Sequence, residues 1–297
     1  MKVLLAGANS YIGAKLIPFL LQNGHEVICV VRDKKFFARQ HHFEGITVLT
    51  GDLLRQQSIE PFPRDIDAAF YLTNRLTQTS GFVGLEALSA QNFMDALNRT
   101  ICRQLITAGD MGNASREHIE NILASGHAAL TGLQTSMVIG EGSISLELFD
   151  ALTQNTPIVI TRTWAKTLIQ PVYIGDVLTS LHGCLLNPDT FNHRFDIGGP
   201  QVLTFKQMML LYIATYKSSK PDMIILPFLN TKLASYLVNF LSPTSYPEAQ
   251  GLLQSLNNDS VCSDKRIGDV LPHEYLTFKQ SLRLIHDKAD KKELSLN

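Results

Sequence analysis

The sequence lacks any long apolar run and has almost no excess charge of either sign. Its 297 residues are 45% hydrophobic and 18% charged, with a net charge of −1. No uninterrupted apolar stretch approaches the length of about 20 residues that crosses a bilayer. Without a basic surplus there is no reason to expect a nucleic-acid partner. This composition indicates a globular chain, long enough for a large α/β domain with a smaller appendage.

Cysteines are few and lie far apart. Cys29, Cys102, Cys184 and Cys262 show neither metal-ligand nor redox spacing, and Cys29 and Cys184 fall within apolar patterns. We therefore predict reduced core thiols and no metal site. Lys2 is followed by only a few apolar residues before a glycine, which does not match a signal peptide, so a cytoplasmic location is expected.

The first 32 residues follow the order strand, glycine turn, helix, strand. Apolar residues 1–6 precede the turn Gly7–Gly13, a helical pattern follows, and residues 27–31 form a second apolar strand. In such a βαβ unit the pyrophosphate of a dinucleotide lies on the helix N-terminus, where backbone N–H groups and the helix dipole favour an anion. The predicted cofactor-binding residues of this turn are Gly7, Asn9, Ser10, Tyr11, Ile12 and Gly13.

The glycine spacing departs from the common pattern at one position. It follows a G-x-x-G-x-x-G variant in which Ser10 replaces the middle glycine. A positive φ at Ser10 would strain its Cβ, whereas its hydroxyl could bind a phosphate oxygen. The alternative is an ordinary strand-to-helix turn in an α/β protein that binds no cofactor.

Arg32 at the tip of the second strand favours NADP(H) over NAD(H). A guanidinium there can bind a 2′-phosphate, which an acidic residue would repel. Asp33 follows immediately and leaves NAD(H) open. The alternative interpretation of Arg32, Lys34 and Lys35 is a solvated basic loop.

Strand and helix patterns alternate six times up to residue 139, which predicts a doubly wound parallel sheet, the Rossmann architecture. The third, fourth and fifth strands are predicted at 46–50, 66–73 and 101–107. An aspartate at the end of the third strand could accept a hydrogen bond from adenine or cap a helix. The residues predicted to contact cofactor at these strand ends are Asp52, Leu53, Leu72, Thr73, Ala108 and Gly109.

Beyond residue 200 the pattern becomes mainly helical. We predict a nucleotide-binding domain at 1–200, with 157–175 contributing to a ligand pocket, and a helical region at 201–297. The residues predicted to line this pocket are Arg162, Trp164, Lys166 and Gln170. They could bind an anionic or aromatic ligand, although the lone tryptophan could equally pack in the core. Residues 223–241 could contact a membrane surface, but a helix packed on the domain is favoured.

Several of these segments together resemble the extended short-chain dehydrogenase/reductase superfamily. More closely, the chain resembles its atypical NAD(P)H-binding branch, the NmrA-like and nucleoside-diphosphate-sugar-epimerase-like proteins. The resemblance implies a nucleotide-binding parallel sheet with a small substrate-covering region. The segments that carry it are Gly7–Gly13, Arg32, Gly51–Leu53, Ala108–Gly109, Gln170–Val177 and Gly198–Pro200.

The resemblance also implies a catalytic Tyr-x-x-x-Lys pair on the helix after the fifth strand, where the lysine lowers the pKa of the proton-donating tyrosine. Residues 115–122 contain neither residue. A literal match at 216–220 lies in the late helical region and is best explained by chance. His118 could act as a substitute acid, but a surface histidine is the favoured interpretation.

We therefore expect an NADP(H)-preferring oxidoreductase without the usual proton donor, which transfers hydride to a quinone-like acceptor or an activated double bond. A non-catalytic NADP(H) sensor is the main alternative. A sugar-nucleotide epimerase-like or accessory protein is a further one. The expected partner is a small-molecule ligand or acceptor, and the sequence leaves the oligomeric state open.

Overall fold

A computed structural model describes residues 1–73, 80–111, 116–153, 158–217, 222–226 and 246–294. Its largest element is a mostly parallel, seven-stranded sheet with the order β11-β6-β5-β4-β1-β2-β3. The strands are β1 (Lys2–Ala6), β2 (Glu26–Val31), β3 (Ile46–Thr50), β4 (Ala68–Tyr71), β5 (Gln104–Asp110), β6 (Ala129–Thr135) and β11 (Arg194–Ile197).

Helices connect the strands of this sheet, as the alternating pattern predicts. They are α1 (Tyr11–Gln22), α2 (Lys34–Gln40), α3 (Ser80–Leu97), α4 (Arg116–Leu123) and α7 (Ile174–Gly183). β1 lies between β2 and β4 and pairs in parallel with both, with Leu4 opposite Ile28 and Ala69. The doubly wound Rossmann architecture is therefore confirmed.

One strand boundary that matters for the site differs from the prediction. β5 begins at Gln104 and ends at Asp110, so Ala108 and Gly109 lie within the strand and not after it. The polar residue at the start of the strand is buried, which the apolar pattern did not indicate. Ser115, at the start of the helix predicted after this strand, lies outside the described residues.

The chain divides into two compact units that are not consecutive in sequence. Unit 1 comprises residues 1–134, 178–196 and 264–272, and unit 2 comprises 135–177, 197–263 and 273–297. This differs from the predicted division at residue 200. Residues 135–177 group with the late helices, and residues 264–272, which include helix α10 (Ile267–Val270), group with the sheet.

Unit 2 combines helices with short strand pairs. Its helices are α5 (Ile144–Thr153), α6 (Arg162–Lys166), α8 (Phe205–Tyr216), α9 (Tyr246–Ser255) and α11 (Phe278–Leu294). Its strands pair as β7 (Val138–Ile139) with β10 (Val172–Tyr173), β9 (Leu168–Ile169) with β12 (Leu203–Thr204), and β8 (Ile158–Thr161) with β13 (Met223–Leu226). Most of the segment 223–241, considered for membrane contact, lies outside the described residues.

Each unit has its own apolar core. In unit 1, Leu4, Ile28 and Leu105 of the sheet are buried with Phe93 of α3. In unit 2 the core is rich in aromatic rings, and Phe149 stacks on both Phe205 and Tyr212. Burial of such apolar side chains removes them from water and stabilises each unit.

All four cysteines are buried and unpaired, which confirms the prediction of core thiols. Burial raises the pKa of Cys29 and of Cys184 to about 12. A protonated thiol is a poor nucleophile, so neither is suited to catalysis at neutral pH. Within the part of the chain that the structure describes, no cluster of three potential metal ligands occurs. Within the same residues, no helix is both long enough and apolar enough to span a membrane.

Gln104 holds the connection between α7 and β11. Its Nε2 donates to Thr131 Oγ1 at 2.8 Å and to the Cys184 carbonyl at 2.9 Å, and its Oε1 accepts a hydrogen bond from the Leu186 backbone N–H. Leu186 has a φ of 51°, a conformation that is uncommon outside glycine. The buried Gln104 amide thus stabilises a turn in which Leu186 adopts an unfavourable backbone conformation.

Replacing Gln104 with leucine keeps the side-chain volume but leaves these buried partners unsatisfied. We expect the free energy of unfolding of Gln104→Leu to fall by about 3 kcal/mol, measured by urea denaturation. Gln91→Leu, on the exposed face of α3, is the matched control and should change it by less than about 0.5 kcal/mol. Equal denaturation midpoints for Gln104→Leu and the wild type would contradict this role.

Candidate functional site

The turn between β1 and α1 is built on two glycines that have no room for a side chain. Gly7 has a φ of 95°, and a Cβ there would lie 2.6 Å from the carbonyl carbon and oxygen of Leu72. A Cβ on Gly13 would lie 2.1 Å from the Gly7 carbonyl oxygen. The backbone therefore passes over the end of β4 at a distance that only glycine allows.

Ser10, the departure from the glycine pattern, is the N-cap of α1. Its φ of −72° is ordinary, so its Cβ costs nothing. Its hydroxyl accepts a hydrogen bond from the Gly13 N–H at 3.1 Å and donates to the Gly7 carbonyl at 2.7 Å. The serine thus ties the two glycines together, and its hydroxyl serves the turn itself.

The remaining predicted residues of this turn begin α1. Asn9 is exposed, and Tyr11 and Ile12 are half-buried in the first helical turn. The first turn of a helix leaves backbone N–H groups without intrahelical partners, and the helix dipole adds positive potential there. A glycine cradle at this end of α1 has the donors and the space that a pyrophosphate needs.

Gly13→Ala tests the cradle. The added Cβ meets a backbone oxygen that cannot rotate away, so the turn must open. We expect the affinity for NADPH, measured by isothermal titration calorimetry, to fall at least about tenfold, equivalent to 1.4 kcal/mol. Gly268→Ala, whose Cβ would meet no atom within 4 Å, is the control and should bind NADPH like the wild type. A folded Gly13→Ala protein with unchanged affinity would show that nothing binds over this turn.

The structure places Arg32 and Asp52 at the ends of neighbouring strands. Arg32 follows β2 and is exposed. Asp52 follows β3, and its Oδ1 accepts a hydrogen bond from the Leu54 backbone N–H at 3.1 Å. That bond stabilises a local turn, so Asp52 does not cap a regular helix. The carbonyl of Leu53 accepts a hydrogen bond from Asn92 Nδ2 at 2.8 Å.

A small pocket opens at the carboxyl ends of β4 and β5. It is open to solvent on one side. In doubly wound sheets ligands bind outside the carboxyl ends of the strands, so the position is one at which a ligand is expected. The lining residues are Tyr71, Thr73, Glu86, Thr107, Ala108, Arg116, Ile119, Glu120 and Leu123.

A buried ion network forms one wall of this pocket. Arg116 Nε donates to Glu120 Oε1 at 2.6 Å, and Arg116 Nη2 donates to Thr107 Oγ1 at 3.2 Å and to the Leu133 carbonyl at 3.1 Å. The side chain of Glu120 is only 2% exposed and also pairs with Arg194. Two guanidinium groups thus compensate the buried carboxylate.

Gly109 makes room for this network. A Cβ at Gly109 would lie 1.7 Å from Arg116 Nη1, so the guanidinium rests directly on the strand backbone. Of the predicted cofactor contacts at the strand ends, Thr73 and Ala108 line the pocket. Gly109 does not line the pocket and instead lies against the guanidinium of Arg116.

His118 lies on α4 with an exposed side chain and does not line the pocket. Arg116 and Glu120 stand one helical turn apart and share a face, whereas His118 lies between them in sequence and points away from that face. The structure thus supports the interpretation of His118 as a surface residue.

The four residues predicted for a substrate pocket lie in unit 2, in different environments. Trp164 is 1% exposed and meets Phe205 edge to face in the core, so the packing alternative is the one that the structure supports. Arg162 and Lys166 are exposed at the two ends of α6. Gln170 Nε2 donates to the Gly199 carbonyl at 2.7 Å, and its Oε1 accepts from the Cys262 N–H at 3.0 Å.

The ion network was not predicted from the sequence. A signal was present, because Arg116 and Glu120 stand at i and i+4, the spacing at which side chains of opposite charge meet on a helix. The third member, Arg194, comes from a distant strand, and no local pattern links it to α4. Its place is set by the pairing of β11 beside β6.

Comparison with known proteins agrees with this geometry. Residues 7–137 match the family model described as NAD(P)H-binding. No curated protein matches the sequence significantly. Among solved structures, the chain is similar to UDP-glucose 4-epimerase of Thermotoga maritima with UDP-glucose, at 12% identity and a TM-score of 0.71, over 98% of this chain and 99% of that one.

Two further solved structures are similar over nearly the whole chain. UDP-glucuronic acid 4-epimerase of Bacillus cereus, in complex with UDP-glucuronic acid and NAD, has 14% identity and a TM-score of 0.70, with 98% of this chain and 99% of that one covered. Yeast methylglyoxal/isovaleraldehyde reductase Gre2, complexed with NADPH, has 12% identity and a TM-score of 0.67, with 99% of each chain covered. At these identities the likeness shows the fold.

The glycine cradle and the parallel sheet define a protein of the Rossmann class, and residues 7–137 within it match the NAD(P)H-binding family model. More particularly, the chain shares its fold with these two epimerases and with the reductase, in agreement with the fold that the sequence resemblance implies.

Proposed function

We propose that the protein binds NADP(H) in preference to NAD(H), and that Arg32 provides the preference. Arg32 is exposed at the tip of β2, the position from which a side chain reaches the adenine ribose in this fold. Its acidic neighbour is occupied elsewhere. Asp33 Oδ1 accepts a hydrogen bond from the Phe36 N–H at 2.9 Å and caps α2, and this bond lowers the pKa of the Asp33 carboxyl.

Arg32→Gln tests the preference. Loss of a charged hydrogen bond to the 2′-phosphate should weaken NADPH binding about 10- to 100-fold, while the affinity for NADH stays within about twofold. Titration calorimetry with both cofactors measures the ratio. Arg39→Gln removes an exposed charge from the last turn of the same helix and should leave the ratio unchanged. An unaltered NADPH/NADH ratio in Arg32→Gln would disprove the contact.

For the reaction, we propose hydride transfer to a conjugated carbonyl acceptor such as a quinone. The observation that carries this proposal is the Arg116–Glu120 ion pair on α4, the helix on which active relatives are expected to bear a tyrosine and a lysine. A guanidinium stays protonated at physiological pH and donates no proton. Reduction of a simple ketone yields a strongly basic alkoxide that needs a proton donor. A quinone yields a phenolate-type oxygen, whose pKa lies near 10 as in tyrosine, and water can protonate it.

The bound nicotinamide cofactor would supply the hydride, and the protein would supply binding and orientation. The test is NADPH oxidation, followed by absorbance, with 1,4-benzoquinone and 2-methyl-1,4-naphthoquinone as acceptors and cyclohexanone as the comparison. We expect turnover with the quinones and none with cyclohexanone. The same mixture without protein corrects for the uncatalysed reaction. Failure to oxidise NADPH with either quinone would rule out this activity.

A second candidate is a sensor that binds NADP(H) without consuming it. The ion network favours it, because Glu120 connects the pocket residue Arg116 to Arg194, whose side chain is 47% exposed. A sensor should bind NADP⁺ and NADPH with different affinities and show no turnover with any acceptor. The sugar-nucleotide epimerase alternative has only the fold in its support, since it also needs the missing proton-transfer group.

A further inference from the structure

The guanidinium of Arg116 has one arm that nothing in the described structure uses. Nε donates a hydrogen bond to Glu120, and Nη2 donates to Thr107 and to the Leu133 carbonyl. Nη1 hydrogen-bonds to none of the described residues. Nη1 lies over Gly109, and the Arg116 side chain is 12% exposed where it lines the pocket. Because Arg116 is held on two sides, this remaining arm has a fixed position.

A second unused donor stands beside it. Thr107 Oγ1 accepts the hydrogen bond from Arg116 Nη2 at 3.2 Å, so its own proton is free to point elsewhere. Both groups line the same pocket at the end of β5. Two adjacent donors in a partly dry site are the arrangement that binds an oxygen on which negative charge develops.

We propose that Arg116 Nη1 and the Thr107 hydroxyl bind the carbonyl oxygen of the hydride acceptor and stabilise the negative charge that forms on it. This proposal rests on the proposed oxidoreductase function. It assigns a catalytic role to two residues outside the Tyr-x-x-x-Lys pattern.

The Arg116 guanidinium favours a ligand that becomes negatively charged during the reaction. A quinone or an enone carries no charge when it binds and gains one only as hydride arrives. The attraction to Arg116 is therefore strongest in the transition state, which is the condition for catalysis and not merely for binding.

The hydride-transfer step balances in electrons and atoms. Hydride supplied by the reduced cofactor goes to an acceptor carbon, the adjacent π electron pair moves onto the acceptor oxygen, and the cofactor leaves oxidised. The oxygen takes its proton from water. Glu120 holds Arg116 in place through their ion pair.

The test separates cofactor binding from acceptor chemistry. Arg116→Gln and Thr107→Val are compared with Arg103→Gln, which removes an exposed arginine next to the start of β5. We expect Arg116→Gln to lower kcat/KM for 2-methyl-1,4-naphthoquinone about 100-fold and Thr107→Val about tenfold, with the NADPH dissociation constant within about twofold in both. Arg103→Gln should match the wild type. Thr107→Val leaves the ion pair intact, so its result stands even if Arg116→Gln folds poorly in thermal melts.

A rise of more than tenfold in the NADPH dissociation constant of Arg116→Gln, with kcat unchanged, would overturn the proposal and assign Arg116 to the cofactor ribose. If the wild type shows no turnover, the proposed oxidoreductase function is wrong. Binding of the acceptor then tests separately whether Arg116 contacts it. Calorimetry with 2-methyl-1,4-naphthoquinone and the NADP⁺-loaded protein should give an affinity about tenfold weaker in Arg116→Gln. Equal affinities would refute the site.

Discussion

The close passage of the chain over the end of β4 determines where everything else in unit 1 can lie. At Gly7 the backbone comes so near to Leu72 that no Cβ fits, and at Gly13 it comes equally near to Gly7. This approach sets the start of α1 at the carboxyl edge of the sheet. Because the neighbouring strands run parallel to β1, the residues that follow them reach the same edge. Arg32 and Thr73 are brought there by strand direction and not by any contact between them.

Much of this arrangement was predictable because its determinants are local. The glycines, the apolar strands and the residue at the tip of β2 lie within 32 consecutive residues. In unit 2, where the sequence predicts mainly helices, α8 begins at a complete capping box formed by Thr204 and Gln207. Signals of this kind depend on a few neighbouring residues, so they survive without knowledge of the rest of the chain.

The parts that the sequence did not predict depend on partners that are distant along the chain. Gln104 is buried because Thr131, Cys184 and Leu186 satisfy its amide, so a polar residue begins β5 and the apolar pattern misplaces the strand. Gln170 looked like a ligand contact, yet its amide bridges the backbone of Gly199 and Cys262. A polar side chain in an apolar stretch indicates a buried network or a site, and only the fold shows which one.

The contrast between the two arms of Arg116 bears on function. Here Glu120, Thr107 and Leu133 hold the side chain while Nη1 stays unengaged among the described residues at the pocket. Gly109 has no side chain, which leaves room for Nη1 of Arg116 against the strand. A fixed, permanently charged donor at the site expected for a titrating pair suits a reaction that needs charge stabilised and no proton from the protein.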